Sequence, residues 1–369
     1  VVEAFADWDG ADSVIEAGAN KASIRADGER VDLRVVVPGE FGAALQYFTG
    51  SKAHNVALRN RAIERGLKLN EYGVFDVSGI DDPDAGQRVG ERVAGGTEAG
   101  VYDAVGLEYV APELREDRGE IRAAADGALP ELIGTADVRG DLHLHTTASD
   151  GTATVEEMAA AAAEFGHEYL AIADHATGPG MVGGVGLDDD ELLEHADAIR
   201  AVDDGAEVDV LAGVEANIGS EGSISVGEDV LETLECVVAS PHSGLDGDGT
   251  DRLVAAVEHP EVDVLGHPTG RLLNQRPGHD VDIERLAAAA ADAGTALEIN
   301  ADPRRLDLRS SYVKAAVEAG ATIAIDTDAH GTGAYANVRF GVHTARRGWV
   351  EPADVLNCRD AAGVREFLG

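Results

Sequence analysis

From about residue 139 to its end, this 369-residue chain alternates short apolar runs with helical stretches. The runs are DLHLH (141–145), YLAIADH (169–175), DVLAGVEA (209–216), CVVASPH (236–242), VDVLGHP (262–268), ALEIN (296–300) and TIAIDTDAH (322–330). Helical segments such as VEEMAAAAAEFG (155–166) and IERLAAAAADAG (283–294) lie between them. Strand–helix alternation predicts a parallel sheet with helical crossovers. Seven such strands in so short a span predict a small barrel more than an open sheet. No sequence repeat accompanies the alternation.

Nearly every run ends in a side chain that can bind metal. The first carries His143 and His145, with Asp150 following; the second ends in Asp174 and His175. Glu215, His242 and His267 close the next three, and Asp326, Asp328 and His330 close the last. Residues i and i+2 of a strand share a face, so a His-Leu-His dyad can present both imidazoles to one ion. In a parallel barrel all strand C-termini open onto one face. Adjacent carboxylates there repel unless cations neutralise them. Imidazole with carboxylate suits zinc, manganese or iron better than calcium. So many ligands imply two or three divalent metals, and multi-metal sites commonly hydrolyse phosphate esters. A lone strand-end histidine is more often an ordinary hydrogen-bonded residue, but that reading does not explain the joint pattern. The other histidines (His54, His167, His195, His259, His279 and His343) fall in helices or loops and are assigned structural roles.

The first part reads differently. Residues 19–37 (ANKASIRADGERVDLRVVV) predict a hairpin turning at Ala26–Glu29. Residues 41–48 and 53–66 read as helices, with Gly66 just past the second. Residues 76–100 are Asp/Gly-rich, and 111–136, with Pro112 and Pro130, read as a linker.

Composition narrows the functional classes. Asp and Glu number 69 against 29 Lys and Arg, giving a net charge of −40. At 44% hydrophobic residues the chain is too apolar for disorder. No apolar run of membrane-spanning length or signal peptide is visible, and two cysteines make no disulfide framework. A cytoplasmic monomer is expected. Such acidity argues against a nucleic-acid partner. With lysine at only four positions, however, it also fits a salt-rich cytoplasm, where screening removes that objection. Residues 52–68 run against the trend: Lys52, Arg59, Arg61, Arg65 and Lys68 face only Glu64. That helix is a candidate phosphate contact, or a solvated face.

The runs DLHLHTTASDG, ADH, GVEANI, SPHSG, GHPTGRLL, EINADPRRLDL and DTDAH resemble a PHP (polymerase and histidinol phosphatase) domain. KASIRADGERVDLRVV and FGAALQYFTGSKAHNVALRNRAIERGLKLNEYGVF resemble the palm and thumb of a family X DNA polymerase, and YVAPELREDRGEI resembles the linker of its bacterial and archaeal members. The resemblance implies an α/β fold: a distorted (β/α)7 PHP barrel at 137–369, preceded by a small α+β partial palm (1–36), a thumb (37–110) and a linker (111–136).

It also implies residue roles. His143, His145, Glu215 and Asp328 would hold one metal; Glu215, bridging, with His242 and His267 a second; Asp150, His175 and His330 a third. His145 and Glu215 would then be central to a manganese- or zinc-dependent 3′–5′ exonuclease. Arg271, Asn300 and Arg305 could position substrate phosphate or serve the loops that carry them. Asp326 could be a ligand or lie just behind one. Asp32 matches one palm carboxylate, which would bind Mg²⁺. Tyr47, Phe48 and Gly50 match the turn against the incoming nucleotide, and Asn55 and Arg59 match thumb contacts to DNA. The other palm carboxylates and a Gly-Ser motif are expected upstream of Val1, so primer extension from dNTP is expected of a longer protein and not of this chain. A small-molecule phosphatase of the histidinol phosphatase type is the alternative; a DNA-binding module with a silent metal site is a third reading.

Overall fold

Val1–Leu129 and Pro130–Gly369 form two separate units. The structure, a computed structural model, describes residues 1–181, 185–203 and 205–369.

The first unit opens with helix α1 (Val2–Ala6) and an antiparallel sheet of β1 (Ser13–Ala17), β2 (Lys21–Ala26) and β3 (Glu29–Arg34) in that order. Ala26 pairs with Glu29 across the expected hairpin. Asp27 and Gly28 both take positive φ, +50° and +81°, which lets the turn follow the twist of its strands. Next come α2 (Phe41–Tyr47) and α3 (Lys52–Ile63), the latter capped by the Ser51 hydroxyl accepting from His54 N–H. Gly66, expected near the helix end, has φ +72° and leads into β4 (Leu67–Asn70). That strand pairs with β5 (Gly73–Asp76), which pairs with β6 (Glu91–Ala94). Helices α4 (Glu98–Ala104) and α5 (Glu120–Asp126) complete the unit.

The expected linker at 111–136 needs correction, because residues 111–129 are folded into this unit. Arg115 is fully buried and donates to Val110 O (3.0 and 2.9 Å) and Glu98 Oε1 (2.6 Å). Glu120, also buried, contacts His54 Nδ1 at 2.6 Å and accepts from the N–H groups of Asp117 and Arg118. Buried charges so fully partnered belong to a core.

All seven expected strands form in the second unit: β7 (Gly140–Leu144), β8 (Tyr169–Ile172), β9 (Asp209–Asn217), β10 (Cys236–Ser240), β11 (Val264–Leu265), β12 (Ala296–Asn300) and β13 (Ile323–Asp326). Each pairs in parallel with its sequence neighbour. A parallel bridge between Leu144 and Ala329 brings the two ends together, so the sheet is a nearly closed barrel.

Helices fill the crossovers: α6 (Val155–Phe165), α7 (Asp189–Asp203), α8 (Glu228–Leu231), α9 (Thr250–Val257), α10 (Ile283–Ala293) and α11 (Ser310–Glu318); α12 (Val338–Arg347) and α13 (Ala361–Leu368) follow the last strand. Thr154 and Glu157 form a capping box that starts α6. The strands are apolar on both faces. Leu142, Ala171, Leu211, Val238, Val264 and Ala324 form one buried cluster. Alternate residues such as Val214, Val237, Leu297 and Ile325 join another with Leu253, Leu286, Val313 and Val342 from the helices. That double burial is why the runs read as continuously apolar. Each buried Leu, Ile or Val contributes roughly 1.5–3 kcal/mol. No helix among the described residues is long and apolar enough to cross a membrane.

Candidate metal centre

The strand ends bring all six expected imidazoles and three carboxylates to one mouth. Glu215, on β9, sits at the centre with its side chain buried. Its oxygens lie 2.6 Å from His175 Nδ1, 2.9 Å from His267 Nε2, 3.3 Å from His143 Nε2 and His242 Nε2, and 3.7 Å from His145 Nε2. Burial opposes charge on Glu215, but His242, His175 and His143 outweigh it and hold the carboxyl well below the usual range.

Three interlocking groups place potential ligand atoms within 4.8 Å of one another: His145, Asp150, His175 and His330; His143, His145 and Asp328; and His175, Glu215 and His242. His145 and His175 each belong to two groups. The expected partition put His267, not His175, in the last group. His267 is 2.9 Å from Glu215, so both imidazoles adjoin the shared carboxylate. His267 (φ +25°) and Asp328 (φ +53°) both hold left-handed backbone conformations, a strain commonly found where geometry serves function.

The unpaired atoms fit cations. His143 Nε2 and His145 Nε2 are buried without a hydrogen-bond partner; so are His175 Nδ1 and Glu215 Oε2, which approach each other out of hydrogen-bond alignment. Orphaned buried groups of this kind are costly unless something binds them.

A supporting layer aims the ligands, and two of its members, Glu298 and Asn217, were not singled out by the sequence patterns. His143 Nδ1 donates to Glu298 Oε1 at 2.6 Å, and His242 Nδ1 donates to Asn217 Oδ1 at 2.7 Å, leaving each Nε2 lone pair free. Burial raises Glu298 to about 7, against the nearby His143. Asp174, at a strand end, does not join the ligand groups. It accepts from Thr146 N–H and Oγ1 (2.7 and 2.6 Å) and His195 Nε2 (2.8 Å), holding the loop that delivers Asp150. Asp326 likewise accepts from Leu142 N–H (2.7 Å) and Asn357 Nδ2 (2.8 Å). These bonds place it behind the ligands.

Of the three expected phosphate-positioning residues, Asn300 donates to Asp328 Oδ2 at 3.0 Å and so braces a ligand. Arg271 donates to the carbonyls of Arg305 and Leu306 and fixes that loop. Arg305 Nε is 3.5 Å from Asp328 Oδ2, and its Nη1 is buried without a partner.

Two families match this chain: the DNA polymerase beta thumb over residues 44–116, and the PHP domain over residues 141–302. The chain is 38% identical over 365 residues to the Bacillus subtilis (strain 168) protein named DNA polymerase/3′-5′ exonuclease PolX. That alignment covers 96% of this chain and 61% of the relative. The chain belongs to the family X DNA polymerases that carry a PHP domain.

The chain thus spans less than two thirds of this family X relative's length. A protein of Shewanella sp. (strain MR-4), named a probable phosphatase, is 33% identical over 206 residues, covering 52% of this chain and 75% of that one. Among solved structures, a histidinol phosphate phosphatase from Lactococcus lactis, complexed with zinc, L-histidinol and phosphate, aligns at 16% identity and a TM-score of 0.43. It covers 57% of this chain and 93% of that one.

The residues matched to the family X palm and thumb lie in the first unit. Asp32 is exposed on β3 and pairs with Arg30 Nε at 3.0 Å; a hydrogen bond with Ser23 and the Arg30 guanidinium lower its pKa. Tyr47 and Phe48 stand edge to face with centroids 5.0 Å apart. Asn55 Nδ2 donates to Tyr47 O (3.1 Å) and Ser51 O (3.3 Å), which fixes the turn they occupy. Gly50 has φ +87°, and a Cβ there would lie 2.5 Å from Arg115 Cβ. Arg59 is exposed and donates from Nε to Asn55 O at 3.3 Å. Arg61 and Lys68 leave the basic face, since carbonyls of residues 105–106 and of residues 83 and 86 take their donors.

Proposed function

We propose that the barrel is a metal-dependent phosphoesterase acting on DNA 3′ ends as a 3′–5′ exonuclease. The observation that supports this reading is that neighbouring ligand groups share His145 and His175, with the Glu215 carboxylate 2.6–3.7 Å from five imidazoles. His143, His145, Asp150, His175, Glu215, His242, His267, Asp328 and His330 would hold two or three ions, Mn²⁺ or Zn²⁺ being the best fits. Such ions activate water and neutralise charge developing on a phosphodiester. The protein's part is positional. Glu298 and Asn217 aim imidazoles, Asp174 and His195 hold the loop of Asp150, and Asn300 braces Asp328. Arg305 presents a donor from which a phosphate oxygen can accept.

In the first unit, Tyr47, Phe48 and Gly50 are proposed to meet a nucleotide, and Asn55 and Arg59 the DNA. Nucleotide incorporation needs further carboxylates beside Asp32; the nuclease reading does not depend on it.

The alternative, hydrolysis of small phosphate monoesters, draws support from the phosphatase relative. The test is turnover of a labelled 3′-recessed duplex against histidinol phosphate and p-nitrophenyl phosphate with Mn²⁺. The duplex is expected to be preferred, and His145→Ala and Glu215→Ala to abolish its degradation. Unchanged degradation in those variants overturns the site; preference for the monoesters overturns the substrate.

A further inference from the structure

Two openings flank the ligand groups, and they differ in the arginine each presents. One, about 520 Å³, is lined by Thr152, Asp302, Arg304, Asp328 and His330. Its arginine is already paired, because Arg304 Nε and Nη2 bind the Asp302 carboxylate through three contacts of 2.6–3.1 Å. The other, also about 520 Å³, is lined by His242, Ser243, Leu245, Arg276 and Pro277.

Arg276 is rooted but not engaged. Its Nε donates to Gly270 O at 2.8 Å, and a short antiparallel bridge ties Leu272 to Arg276. Among the described residues no hydrogen-bond acceptor takes its two terminal amino groups. Arg305, with its buried unpartnered Nη1, stands beside Asp328. The loops that carry the two arginines touch: Leu273 N–H donates to Arg304 O at 2.6 Å and Arg271 Nε to Arg305 O at 2.8 Å. Two neighbouring guanidinium groups repel unless an anion lies between or along them. Asp246 and Asp280 line the same opening, so without Arg276 its wall would repel a phosphate.

We propose that Arg305 and Arg276 form a phosphate track leaving the metal centre on the His242 side. Arg305 takes the scissile phosphate and Arg276 the next phosphate of a polynucleotide. The track rests on the nuclease reading and adds to it a means of telling a strand from a small ester: only a substrate with a second phosphate engages Arg276.

The test compares the tetranucleotide (dT)4 with p-nitrophenyl thymidine 5′-phosphate, a diester with no neighbouring phosphate, on the full chain with Mn²⁺. Arg276→Gln should lower the ratio of the two kcat/KM values about tenfold, the scale of one charged hydrogen bond. The slope of log(kcat/KM) for (dT)4 against log[KCl] should become shallower by about 0.7, the loss of one single-strand phosphate contact. Arg276→Lys should recover part of the ratio. An unchanged ratio and salt slope overturn the track while the nuclease stands. Failure of the wild type to hydrolyse either diester overturns the nuclease reading, and the track with it.

Discussion

His143 Nδ1 donates to Glu298 Oε1 at 2.6 Å, and the other carboxylate oxygen accepts the backbone N–H of His267. One buried residue on β12 therefore holds two potential ligands, His143 on β7 and His267 just past the end of β11. Outer partners of this kind typically change metal affinity 10–100-fold when removed. Glu298→Gln keeps the shape but not the charge, and should weaken Mn²⁺ or Zn²⁺ binding by about tenfold or more in competition with a chromophoric chelator. Unaltered affinity would show that His143 needs no such partner.

Gly50 combines a left-handed φ with a close approach to Arg115. Alanine there meets both obstacles and should cost about 2–3 kcal/mol. Faster hydrogen exchange in α2 and α3, with exchange in the barrel unchanged, is the expected signature.

Asp263, at the foot of β11, offers a pH test outside the metal centre. Its carboxylate accepts Val237 N–H at 2.8 Å. Burial, helped by Glu261, raises its pKa to about 7. Between the ordinary carboxylate value and about 7 the folded state binds a proton that the unfolded chain has lost. Stability from this group is therefore complete below pH 4 and is lost as pH rises through 7. Asp263→Asn keeps an acceptor for Val237 and cannot ionise. It should flatten that decline and be more stable than the wild type at pH 8, by on the order of 1–2 kcal/mol. Denaturant titrations of both proteins at pH 5 and pH 8 measure the difference.

The net charge of −40 sits largely on the barrel unit: residues 137–369 carry 44 acidic and 15 basic residues. Asp188, Asp189, Asp190 and Glu191 are consecutive and all exposed. Lowering KCl from molar to ~0.1 M lengthens the Debye screening distance from ~3 to ~10 Å and unmasks their repulsion. The melting temperature should fall, and with it the proposed duplex-degrading activity. Equal stability at both concentrations would assign the acidity another role.

The barrel was legible because its strands are buried on both faces and its ligands fall at their ends. A run such as YLAIADH states both facts. Glu298 was not, since it lies mid-strand in ALEIN, two residues before the polar end that drew attention. Only a structure shows that His143 reaches back to it. The short strands β4–β6 have four residues each, too few to establish alternation, and β6 is hidden in an Asp/Gly-rich stretch. The supposed linker misled because Pro112 and Pro130 suggest irregular chain. What holds residues 115–120 in place is a pair of buried charges whose partners, Glu98 and His54, are distant in sequence. The thumb turn was recognised by resemblance; its geometry explains why glycine stands at position 50.

The Leu144–Ala329 bridge joins the first and last strands of the barrel, and the ligands cluster on either side of it. His143 and His145 come early in the unit, whereas Asp328 and His330 come almost at its end. During synthesis on the ribosome, the first dyad therefore waits through nearly two hundred residues for its counterparts. A growing or prematurely released chain that stops short of residue 328 carries the histidine pair without the closing carboxylate. Such a chain cannot assemble the ligand group of His143, His145 and Asp328, so metal capture by that group waits for the barrel to close.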